Sequence, residues 1–166
     1  MTIESLALRN VIASASYAGG EPPPDKGLAA GLLFRVRELL LRELDGALSE
    51  IGTSQARHQV LTIVCHAPDG LQLGEIAARA SVHPTTMTST IDRLERDGLI
   101  ERRSDPTDRR GTLAVATAKG RDSYEQGRQA LLAIDYGFAN VPAKTVTAVL
   151  ENLDRLALEL ERHLEA

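Results

Sequence analysis

The chain has 166 residues, of which 43% are apolar and 25% charged, with a formal net charge of −4; this is the profile of an ordinary soluble globular chain of about one domain. Its single cysteine excludes an internal disulfide and any metal or cluster site built on several cysteines. No apolar run nears the ~18 residues a bilayer-spanning helix needs, and no basic stretch leads an apolar one at the N-terminus, so a cytoplasmic location without a membrane partner is expected.

Aromatic residues make up 3% and Trp is absent, which leaves Leu, Val, Ile and Ala to build the core and favours helices over sheets. Residues 1–27 divide into an apolar-rich opening, Ile3 to Tyr17, and a breaker cluster ending in Pro22-Pro23-Pro24, read as an arm and a Pro-rich linker. From Leu28 to Ile51 the spacing of Leu32, Val36, Leu39, Leu40, Leu44, Ala47 and Leu48 is that of a helix with a broad apolar stripe. Ser54 is placed to cap a second helix whose inner face is Val60, Leu61 and Val64, and Pro68-Asp69-Gly70 ends it. A short third helix, Leu73 to Ala80, turns through Ser81-Val82-His83 into a fourth that begins at Pro84 and stops at Gly98.

The period then changes to that of strands, Leu99 to Arg103 and Thr112 to Thr117, joined by a charged loop as a hairpin. Thr117 caps a fifth helix expected to reach Phe138. Pro142 falls in the first turn of a sixth, whose Val146, Val149, Leu150, Leu153, Leu156, Leu160 and Leu164 keep helical spacing over ~22 residues, or roughly 33 Å.

Two short helices joined by a tight connection, with a hairpin directly after the second, make a winged helix-turn-helix. Projecting the fourth helix at about 100° per residue groups Met87, Ile91 and Leu94 on one side. Thr85, Ser89, Asp92 and Arg96 fall opposite, flanked by Thr86, Thr88 and Arg93. Short hydroxyls at a helix start permit close approach to a groove floor and can bond base edges or phosphates; His83, in the preceding turn, is a further phosphate candidate. At the hairpin tip, Arg109 and Arg110 can enter a minor groove or clamp backbone.

Against this stands charge: residues 83–111 hold six arginines and six acids, so several acids must brace arginines, with Asp92 and Asp108 the candidates. The acidic total keeps a winged-helix protein–protein module open as the alternative. No nucleophile elbow, phosphate loop or catalytic triad pattern appears, and the four histidines lack metal-ligand spacing, so no catalysis, cofactor or metal is expected.

The run Ile91-Asp92-Arg93-Leu94-Glu95-Arg96-Asp97-Gly98-Leu99-Ile100-Glu101-Arg102, followed by Asp105-Pro106-Thr107-Asp108-Arg109-Arg110 and Thr117-Ala118-Lys119-Gly120, resembles the MarR family of transcription regulators. The resemblance implies a mainly α fold with a small hairpin wing. It further implies a homodimer held by its N- and C-terminal helices (28–53 and 119–166), and a DNA-binding lobe over 54–118. Double-stranded DNA with a pseudo-palindromic site is the implied partner, and a small-molecule effector is usual. In the wing, Arg110 maps to the minor-groove residue and Asp108 to its brace. His58 stands where members commonly carry an aromatic residue, a candidate for the effector pocket as well as for helix packing. Cys65 leaves a thiol-based redox sensor as a further alternative, although it lies outside the first-helix position of reactive thiols in peroxide-sensing relatives.

Overall fold

The computed structural model describes residues 25–164 except 107, 109 and 110; the N-terminal arm, Arg109 and Arg110 therefore lie outside the described residues. The chain order is α1 (Asp25–Glu50), α2 (Gln55–Cys65), β1 (Leu71–Gln72), α3 (Leu73–Ala80), α4 (Pro84–Arg96), β2 (Ile100–Ser104), β3 (Thr112–Ala116), α5 (Ala118–Ala133), a 3₁₀ turn (Asp135–Gly137) and α6 (Ala143–Leu164). Helix α1 starts three residues earlier than its apolar stripe suggests, with Asp25 in the first turn, where a carboxylate complements the positive end of the helix.

The helix ends follow from local chemistry. The Ser54 hydroxyl accepts the Arg57 N–H and the Thr117 hydroxyl accepts the Gly120 N–H, each satisfying a donor the first helical turn leaves open. Gly98 closes α4 at φ +72°, a left-handed conformation that costs a residue with a side chain 1–2 kcal/mol or so. The same Thr117 hydroxyl donates to the Gly98 carbonyl at 2.7 Å, so one side chain both starts α5 and fastens it to the end of α4.

Three expectations are corrected. The hairpin is part of a three-stranded antiparallel sheet in the order β1-β3-β2, with Leu71 opposite Ala114 and Ile100 opposite Ala116. A two-residue strand has no alternation to betray it, and here Gly70, at φ +90° against Val115, delivers Leu71 to the β3 edge. Helix α5 ends at Ala133 rather than Phe138, because Asp135, Tyr136 and Gly137 all take positive φ and fold the chain back onto Leu40 and Glu43 of α1. Pro142 precedes α6 instead of lying in its first turn, its carbonyl accepting the N–H groups of Thr145 and Val146.

The core sits in the middle of the chain. Leu61, Val64, Ile76, Met87, Ile91, Leu94 and Ile100 are fully buried and join α2, α3, α4 and the sheet; truncating any of them to Ala costs of order 2–5 kcal/mol. The long helices differ. Within α1 only Leu48 is buried, and α6 buries nothing. Phe34 is 70% exposed, Leu150 66% and Leu164 84%. Between the two helices runs an apolar groove of about 460 Å³, with Leu33, Val36, Val149, Leu153 and Leu156 in its walls.

The contact of α5 with the sheet gives a sharp test. A Cβ on Gly120 would collide with the Leu99 carbonyl, whereas one on Gly46 in α1 meets nothing within 4 Å. Gly120→Ala is expected to lose about 1–3 kcal/mol by overpacking, and Gly46→Ala to gain about 0.5–1 kcal/mol from helix propensity. Urea unfolding of both variants measures the difference.

Candidate nucleic-acid interface

Helix α4 is anchored on one side and free on the other. Met87, Ile91 and Leu94 are buried, while Thr85, Thr86, Thr88, Ser89 and Arg93 are exposed. The hydroxyls of Thr88, Ser89 and Thr90 donate back to carbonyls of their own helix, at Pro84 and Thr86. Their protons are thus spent inward, and the oxygen lone pairs remain as acceptors on the outer surface. His83 caps the helix: its Nδ1 accepts the Thr85 N–H at 3.3 Å, which in a neutral ring puts the hydrogen on Nε2 and makes that atom a donor.

Charge is sorted by ion pairs invisible in the linear count. Arg102 on β2 binds Asp92 at 2.6 Å and also Glu95, both on α4. The hydrogen bond to Asp92 is foremost in raising the guanidinium above its ordinary range, ahead of the opposing cost of burial. Arg102 is therefore a clamp between the helix and the wing rather than free positive charge, and Asp92 is its partner. Arg57 of α2 holds Asp97 at 2.6 Å; this hydrogen bond leads the effects that lower the Asp97 carboxyl, with Lys119 and Arg96 assisting. Lys119 also donates to the Asp97 carbonyl. Arg93 has no ion pair among the described residues. With Asp92, Glu95 and Asp97 engaged, the outer face of α4 is less acidic than its sequence.

At the base of the wing loop Asp105 is only 9% exposed. One of its oxygens accepts the Asp108 N–H and the other the Gln72 amide. Backbone bonds from Asp105 to Gly111 and from Gly111 to Asp108 close the loop. Asp108 itself is exposed and engaged. Sequence reasoning missed Asp105, although Asp-Pro at a strand end is a recognised turn start.

A cavity of about 340 Å³ opens between the lobe and the flanking helices. His58 lines it, 8% exposed and stacked on Tyr124 with ring centres 5.6 Å apart. Gly127 lets the ring seat, since a Cβ there would strike Nδ1, and that Nδ1 has no hydrogen-bond partner among the described residues. Burial pushes the imidazole pKa down. Tyr124, Tyr136, Arg79 and Gln59, which also line the cavity, were not foreseen, because they converge from four separate segments. Cys65 packs half-buried at the edge of the core, and burial pushes its thiol up against the opposing pull of Arg121, which disfavours the reactive thiolate. Among the described residues no cluster of His, Cys, Asp or Glu is arranged to hold a metal, and no helix is long and apolar enough to cross a membrane.

Residues 53–112 match the profile of the MarR family. The HTH-type transcriptional repressor Rv2887 of Mycobacterium tuberculosis is 32% identical over 104 residues, 63% of this chain and 74% of the relative; its structure with salicylic acid superposes with a TM-score of 0.63 at 28% identity, covering 82% of this chain and 98% of that one. A MarR family regulator from Streptomyces coelicolor superposes with a TM-score of 0.75 at 31% identity over 84% of this chain and 98% of its own. A variant of MarR from E. coli, solved with operator DNA, gives a TM-score of 0.69 at 27% identity over 75% and 90%.

His58 carries a pH signature. The folded chain takes up its proton less readily than the unfolded chain, so the associated stability is complete above pH ~6.5 and declines as pH falls below it. Thermal melts between pH 8 and 5 should show this decline, and His58→Gln should flatten it. An unchanged slope would place the titration elsewhere.

Proposed function

Because the chain belongs to the MarR family, we propose that it is a ligand-responsive transcription repressor acting as a cytoplasmic homodimer on a pseudo-palindromic site in double-stranded DNA. The observation that carries this reading is α4 itself: its apolar side is sealed into the core, its hydroxyl side is open, and Arg102 locks the adjoining sheet to it. Lone pairs on Thr88 and Ser89 can accept from base amino groups, and the hydroxyls of Thr85 and Thr86 can bond base edges or phosphates. The Nε2–H of His83 and the helix N-terminus suit a phosphate, and Arg93 suits the backbone one turn further on.

Arg109 and Arg110 complete the interface as wing-tip residues, Arg110 in the minor groove. Asp108, with Asp105 beneath it, shapes the loop, and Asp92 holds Arg102. Residues 54–118 form the DNA-binding lobe, while 28–53 and 119–166 form the dimer through the apolar surfaces of α1 and α6. The cavity at His58 is the effector site; occupancy shifts the lobes between DNA-competent and DNA-incompetent positions. Relatives solved with operator DNA and with salicylic acid support both halves of the reading. No catalytic role is assigned; the relatives are transcription regulators.

The protein–protein alternative separates cleanly. Replacing Arg109 and Arg110 together by Ala should lower affinity for a duplex selected by the wild type from a random-sequence pool. The slope of log affinity against log salt should become shallower by about one to two, since each arginine that no longer neutralises the duplex leaves about one counterion in place. Equilibrium fluorescence anisotropy across a salt series reads both quantities. A slope unaltered by the double substitution would remove the wing from the interface.

A further inference from the structure

We propose that Arg57 is a positioning residue for DNA recognition: by binding Asp97 it fixes the C-terminal end of α4 to α2, and so sets which half-site spacing the dimer accepts. This rests on the reading of the chain as a homodimer on a pseudo-palindromic site. Asp97 stands in an unfavourable place for a carboxylate. It is the C-cap of α4, where the last carbonyls carry the negative end of the helix dipole and a cation is the favoured neighbour. Arg93 and Arg96 in the last turn obey that rule, and Asp97 breaks it. A long-range partner offsets the mismatch: the Arg57 guanidinium, 40 residues earlier in the chain, donates to Asp97 Oδ2 at 2.6 Å.

Around this pair the end of α4 is held by two helices. From α5, Lys119 Nζ donates to the Asp97 carbonyl at 2.8 Å, and the Thr117 hydroxyl, at the cap of α5, donates to the Gly98 carbonyl at 2.7 Å. Arg57 adds α2, whose own start is fastened to α1, because the Asp45 carboxylate accepts the Gln55 N–H at 2.7 Å. The Ser54 hydroxyl accepts the N–H of Arg57 itself, so the backbone that carries the guanidinium is pinned at the same corner. Two routes therefore run from the end of α4 toward the long helices, one through α2 to α1 and one into α5.

The apolar side of α4 does not do this work. Met87, Ile91 and Leu94 keep the helix against the core, but burial is non-directional, and tilt is left to hydrogen bonds and ion pairs. Arg102 ties α4 to β2 within the lobe, whereas the Asp97 end is tied toward α1 and α5. The side chains of Arg57 and Asp97 are 26% and 45% exposed, and so open a pair adds little to overall stability; its consequence is geometric. In a twofold assembly the pose of each α4 on the long helices decides how far apart the two reading surfaces lie. One base pair inserted between half-sites shifts one of them by about 3.4 Å and turns it by roughly 35°. A stiff joint rejects such a site, and a loosened one tolerates it.

The test uses the full chain and fluorescence anisotropy. It compares a duplex that the wild type has selected from a random pool with versions carrying one base pair inserted or removed at the centre. Wild type should lose about tenfold or more in affinity on either change, the scale of a mismatched base pair. Arg57→Gln and Asp97→Asn should each bring that loss below about threefold, with affinity for the parent duplex within about threefold of wild type. The double substitution should do no more than either alone, as expected of a shared contact, and Arg57→Lys should keep most of the discrimination. Melting temperatures should move by no more than about 4 °C, which separates a loosened joint from a loosened fold. A spacing loss that survives in both single variants overturns the proposal. A salt slope shallower by about one in Arg57→Gln, with discrimination intact, gives Arg57 to a phosphate instead. Wild type that binds all three duplexes equally defeats the two-half-site reading and this inference together.

Discussion

The constraint on which the rest depends is the unburied apolar surface of α1 and α6. Helix α6 runs over 22 residues and buries none of them, while Leu150, Leu153, Leu156, Leu160 and Leu164 all stay exposed. Each large aliphatic side chain left in water forgoes of order 1.5–3 kcal/mol. The lobe between the two helices has already filled its own core with Leu61, Ile76, Met87, Ile91 and Leu94. In the proposed homodimer a second copy of the chain would supply an apolar face at no cost in new sequence, and a twofold pairing would present two α4 helices to one duplex.

A dimer is useful only if each lobe is rigid enough to transmit its position. That rigidity comes from polar ties at the lobe's edges. Arg102 joins β2 to α4, Asp105 joins the wing loop to Gln72 ahead of α3, and the Thr117 hydroxyl joins α5 to the end of α4. The same ties answer the objection raised by an acidic chain. Carboxylates at 92, 95 and 97 are spent on Arg102 and Arg57, so the acidic total does not describe the face that carries Thr85, Ser89 and Arg93.

Legibility in the sequence followed the range of the interaction. Features set within one turn were readable: the caps at Ser54 and Thr117, the stop at Gly98, and the buried side of α4, each encoded within four residues of where it acts. Features set by chain reversal were not. The edge strand at Leu71 exists because β3 passes beside it, and the left-handed turn at Asp135–Gly137 exists because α1 lies against it. The local sequence that let α5 be expected to reach Phe138 carries no information about a neighbour that arrives from residue 40. For the same reason the residue that Asp92 braces, Arg102, with Glu95 as its second partner, emerges only once residues ten and seven positions apart are brought together. The cavity drew only His58 from the sequence, since a space bounded by α1, α2, α3 and α5 has no linear signature.

The most direct measurement is the distance between the two α4 helices of the assembled protein. A spin label at Arg96→Cys, at the far end of α4 from its proposed base contacts, in a Cys65→Ser background, read by pulsed dipolar spectroscopy with a selected duplex bound, should give one narrow distribution on the order of 34 Å, a single turn of B-DNA. Absence of dipolar coupling at concentrations where DNA is bound, or a separation that fits no multiple of the helical repeat, would contradict the account.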